Sequence, residues 1–120
     1  MANLFAMAAP ILPGQTERWK KFSKELTSTR FNDFKASRLA LGVRERAFLQ
    51  QTPMGDFVIV TLEGNSPAEA LTKFAQGTDA FTKWFAEEVK TIHGFDLQSV
   101  GDNPLPELII DSGELSAAGR

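Results

Sequence analysis

The stretch from Val43 to Glu63 constrains this chain more than any other. Val43 to Thr52 reads as a strand, and Asp56 to Glu63 (DFVIVTLE) is the strongest β signal in the chain. Between them, TPMGD puts Pro53 at the second position of a type I turn and Gly55 in the left-handed position after it. That is a three-residue hairpin connection. Strands joined by so short a turn pair antiparallel. The question is then what the flanking segments pack onto this hairpin.

Upstream, Leu4 to Ala9 is a short apolar run ending at Pro10 and reads as a first strand. Pro13-Gly14 turns the chain. From Thr16 the period changes: Trp19, Phe22 and Leu26 recur at i, i+3 and i+7, one stripe of a helix. Phe31, Phe34, Arg38 and Leu41 continue the helical character, and Gly42 is placed to cap it. The second stripe is rotated by roughly 80° from the first, which predicts a break near Ser28 to Arg30. Downstream, SPAE opens a helix with Ser66 as N-cap, Pro67 at the first helical position and Glu69 completing a capping box. Gly77 interrupts it. Asp79 caps a second piece with Phe81, Trp84, Phe85, Val89 and Ile92 on one side, and Gly94 ends it. A loop with Gly101, Pro104 and Pro106 leads to a last short strand at Glu107–Asp111. Residues 1–112 form one domain, and 113–120 read as a loose C-terminal tail.

The order is β-α-β-β-α-β, the ferredoxin-like arrangement. It predicts an α+β fold, a four-stranded antiparallel sheet covered by helices on one face. In a two-layer domain each strand should alternate between a dry face and a wet one. Here Phe57 and Ile59 alternate with Val58, Val60 and Leu62, all apolar. Leu4 to Met7 and Leu108 to Ile110 behave the same way. Both sheet faces read as dry, so a second copy of the chain, a homodimer, is the expected cover for the face the helices leave open.

Composition mainly excludes. The net charge of −2 carries no basic footprint, which argues against nucleic acid as a partner. No apolar run reaches the roughly 18 residues of a membrane span, and the first ten residues lack the positive region of a signal peptide. With no Cys and one His, His93, neither a Cys-ligated nor a multi-histidine metal site is available within one chain. A cytoplasmic location and no metal are expected. Acid–base chemistry falls to His93, a carboxylate or a shifted Lys.

ILPGQTERWKKF after a first strand resembles the P-G-x-x-E turn-to-helix of the dimeric α/β-barrel superfamily. The stretches LGVRERAFLQQTPMGDFVIVTLEG and FTKWFAEEVKTIHGFDL are similar to its uncharacterised small members, and the resemblance runs from Leu4 to about Asp111. It implies ferredoxin-like chains whose sheets pack back to back. Relatives include antibiotic-biosynthesis monooxygenases, muconolactone isomerases and haem-degrading monooxygenases. The haem-degrading branch uses an Asn, a Trp and an axial His, superficially matched by Asn3, Trp84 and His93. Nine residues separate Trp84 from His93, about 900° on an ideal helix and half a turn out of phase. No haem, and no other cofactor, is expected.

Six residues are candidates for binding a ligand and two for catalysis. Arg44 and Arg46 share one face of the second strand with Phe48 and Gln50. Lining a cavity, they would clamp a carboxylate; bordering solvent, they are salt-bridge partners for Glu45 or Glu63. Arg38, on the apolar side of the second helical segment, is a third cation. Trp19, Phe48 and Trp84 would supply walls. His93 reads either as an imidazolium favoured by a helix C-terminus or as a ligand-facing base. Glu88 falls mid-stripe between Trp84 and Ile92, where it is either paired with an Arg or a carboxyl of raised pKa. The expected function is binding of a small hydrophobic molecule, such as a fatty-acid-like carboxylate, between sheet and helices. The alternative is a cofactor-independent monooxygenase or isomerase with His93 or Glu88 as base.

Overall fold

The hairpin forms the middle and one edge of a sheet in the computed structural model, which describes residues 3–102 and 104–113. The elements run β1 (Asn3–Pro10), α1 (Thr16–Leu26), α2 (Phe31–Leu41), β2 (Val43–Thr52), β3 (Gly55–Gly64), α3 (Pro67–Ala75) and α4 (Ala80–His93). A 3-10 turn at Leu97–Asp102 follows. Strand order is β1-β3-β2, with both pairings antiparallel. The most apolar strand is therefore central, as its two-sided hydrophobicity requires.

Register determines which side chains face inward. Val58 lies between Ala9 and Leu49, Val60 between Met7 and Ala47, and Leu62 between Phe5 and Glu45. This face packs against a core of Phe22 and Leu26 from α1, Phe74 from α3, and Phe81, Phe85, Val89 and Ile92 from α4. Phe85 is the hub: Phe22 and Phe74 meet its ring edge-on at centroid distances of 5.1 and 5.0 Å. A smaller cluster of Phe5, Val43, Leu62 and Ala70 closes the other end.

The expected break between α1 and α2 is present and has a chemical cause. The hydroxyls of Thr27 and Ser28 donate to the carbonyls of Ser23 and Lys24, while the Arg30 N–H returns to the Glu25 carbonyl. Side chains thus occupy carbonyls that a continuing helix would use. At the end of α4, Gly94 adopts φ 80°, and a Cβ there would lie 3.1 Å from Leu12. Both the conformation and the close approach favour glycine.

Two expectations are corrected. The fold is α+β, but its sheet has three strands and four α-helices accompany it, so it is not a four-stranded ferredoxin-like sheet. Glu107–Asp111 forms no strand, and Leu108, Ile109 and Ile110 are exposed. Pro104 and Pro106 lack N–H donors for a ladder, and Leu105 between them packs instead on the smaller cluster. Second, Ser66 precedes α3 and Pro67 begins it, yet no side-chain cap bond forms. The Ser66 carbonyl accepts from the Ala70 N–H, so the helix starts on backbone bonding alone. The helices cover one sheet face. On the other, Leu4 is 63% and Phe48 54% exposed. Residues 114–120 of the expected tail lie outside the described residues.

Candidate functional site

A cavity of about 310 Å³ separates the inward sheet face from the helices. Its floor is Met7, Ala9, Ala47, Val58, Val60 and Leu62; Trp19, Phe22 and Leu26 of α1 line it with Phe74 of α3 and Phe85 and Val89 of α4. Ala9 and Ala47 leave space because they stand beside the central strand at inward positions where larger side chains would fill it. Two lining residues are exposed, Thr27 in the α1–α2 break and Ala47 on the edge strand.

Its polar lining is sparse. Arg38 of α2 is buried, and its Nε donates to a Glu45 carboxylate oxygen at 2.6 Å. One Nη donates to Ser37 at 2.9 Å, and Nη2 has no hydrogen-bond partner among the described residues. The guanidinium lies over Phe74 at 4.2 Å, with Phe34 and Phe85 at 4.9 and 5.1 Å. A planar, weakly hydrated cation suits such an aromatic surround. Both side chains of the pair are nearly buried, and their charges cancel.

His93 lines the cavity from the end of α4. Its Nδ1 is 2.8 Å from the Pro10 carbonyl. A carbonyl only accepts, so Nδ1 carries a proton, and in the neutral ring Nε2 keeps its lone pair. Phe95 stacks on the ring. Burial pushes the imidazole pKa below its ordinary value, with the Pro10 bond opposing the shift. Burial thus favours the neutral ring over the imidazolium.

The structure brings Trp19, Arg38 and His93 together and separates the other candidates from them. Arg44, Arg46 and Phe48 lie on the outer sheet face, opposite the cavity: Arg44 and Phe48 stand across from Glu63 and Ile59, and Arg46 bonds Glu63 at 3.1 Å. Neither arginine clamps anything in the cavity. Trp84 packs behind the wall on Phe22 and Phe81, with the Arg30 guanidinium 3.9 Å over its ring. Glu88 is held by both the Nε and Nη2 of Arg18, and that hydrogen-bonded contact raises the Arg18 pKa. Glu88 thus serves as an ion-pair partner and does not line the cavity.

Glu45 was not singled out from the sequence. Its signal was strand alternation: it shares a face with Val43, Ala47 and Leu49, and an acid on that apolar face needs a buried partner. No group of three or more His, Cys, Asp or Glu side chains among the described residues could hold a metal ion. No helix of the described residues is long and apolar enough to cross a membrane. No family model, curated protein or solved structure matches the chain. The arrangement can enclose an apolar body beside a few polar groups: the Arg38–Glu45 pair, His93 and the hydroxyls of Ser23 and Thr27.

Proposed function

We propose that the protein binds a small hydrophobic molecule in the cavity between sheet and helices. The observation that supports this is the void itself, about 310 Å³ with walls mostly of Phe, Leu, Val and Ala. Protein interiors seldom leave gaps larger than a water. A water's share of the liquid is about 30 Å³, so this space takes on the order of ten non-hydrogen atoms. It falls at the small end of the roughly 300–1,000 Å³ typical of ligand sites.

The functional unit in this proposal is a homodimer joined through the outer sheet face. Leu4, Ala6 and Ala8 on β1, Ile59 on β3 and Phe48 on β2 give that face an apolar band. Arg44, Arg46 and Glu63 flank it, so a two-fold arrangement can set cations of one copy against the acid of the other. An enzyme reading, an isomerase or cofactor-independent monooxygenase, draws support from His93 alone: a neutral imidazole with Nδ1 anchored keeps Nε2 as a base.

A native mass spectrum of freshly purified protein tests both parts. The expected result is a dimer mass carrying an additional small mass that denaturation releases. A monomer overturns the dimer. A bare mass that stays bare after incubation with octanol overturns the binding.

A further inference from the structure

We propose that the cavity, if it is the binding site argued above, selects an uncharged molecule bearing a hydrogen-bond acceptor oxygen and discriminates against an anion. The Arg38–Glu45 pair carries the argument. Among the described residues, Arg38 is the sole permanently charged cation lining the cavity, and its charge is already matched by Glu45 at 2.6 Å. A ligand carboxylate brought to this guanidinium would also approach the Glu45 carboxylate. Both anions would be stripped of water against Phe34, Phe74 and Phe85, and like charges sharing one apolar site are disfavoured.

A ketone, alcohol or ether meets no such opposition. Arg38 Nη2 has no hydrogen-bond partner among the described residues, while Nε and the other Nη each already donate once. No polar side-chain atom among the described residues is both fully buried and unpartnered, so this nitrogen keeps some access. It can donate to a neutral oxygen without breaking the ion pair. His93 adds little compensating positive charge at pH 8, above the ordinary imidazole range, because burial disfavours its charged form. The fatty-acid-like carboxylate anticipated from Arg44 and Arg46 meets no unpaired Arg or Lys among the described residues that line the cavity.

The test is displacement of the neutral dye Nile red at pH 8 by octane, 1-octanol, 2-octanone and octanoate. The alcohol and ketone are expected to displace at about tenfold lower concentration than octane, the scale of a hydrogen bond from a charged donor. Octanoate is expected to be at least about tenfold weaker than 2-octanone. Glu45→Gln removes the opposing charge and nearly keeps the shape, so octanoate should then overtake the ketone. Octanoate matching or exceeding 2-octanone on the wild type overturns the selection and leaves the binding reading standing. So does a folded Glu45→Gln protein whose preference is unchanged. No displacement by any of the four overturns the binding reading. If the variant does not fold, the wild-type series alone decides.

Discussion

Arg38 and Glu45 are worth more as a pair than their separate removals suggest. Taking away one buried partner strands the other charge, at a cost of roughly 3–5 kcal/mol, whereas an apolar pair of similar volume is tolerated. Arg38→Met and Glu45→Leu should each destabilise by about that much in urea unfolding. The double variant should recover most of the loss; simple additivity would show that the two do not form one unit. His93 gives a pH signature. Its folded pKa is depressed, so the unfolded chain binds the proton more readily and stability falls as pH drops below about 6.5 towards the folded value. His93→Ala should cost about 0.5–1.5 kcal/mol at pH 8, the scale of the Pro10 bond. It should also flatten the melting temperature between pH 7 and 5.5; an unchanged slope would assign the dependence to other groups. Asp79, lowered chiefly by its Thr82 hydrogen bonds, is lost only as pH falls below its ordinary carboxylate range, a separate window. Arg38 was legible as a cation on an apolar stripe. The state of His93 was not, because its partner Pro10 stands 83 residues away.

At the scale of elements, local chemistry was mostly a good guide where the signal was itself local. The α1–α2 break, the Gly94 stop and the start of α4 at Asp79 all follow from residues within a turn of the feature, whereas the hairpin closes through Pro53 and Met54 alone, with Thr52 paired to Gly55, and not through the three-residue connection expected. Asp79 accepts from the Thr82 N–H at 3.1 Å and from its hydroxyl at 2.7 Å. Asp79→Ala should therefore cost about 0.5–2 kcal/mol. Ser66→Ala should stay within about 0.5 kcal/mol, since its hydroxyl makes no cap bond. Equal losses in urea unfolding would show that the two starts are held alike. Glu107–Asp111 shows the limit of pattern reading. Apolar content marks a segment as able to pair, but pairing needs an edge within reach, and Leu105 docks the chain elsewhere. The two strand faces could be separated by alternation; which of them the helices cover could not, because that depends on where α1 to α4 fold back.

The molecule as a whole is a sheet with one face covered by helices, and the cover does not fill the space beneath it. That void is the central claim, and Ala47 allows a direct test. It lines the cavity, yet it is exposed on the edge strand, so a large side chain there can block the space without entering the packed core. The decisive measurement is Nile red titration of the wild type and Ala47→Trp, with circular dichroism on both. The wild type is expected to take up one dye per chain, saturably. Uptake by Ala47→Trp is expected to be at least tenfold weaker, with its spectrum and melting temperature intact. Uptake of equal strength by the two folded proteins, or none by the wild type, would contradict that claim.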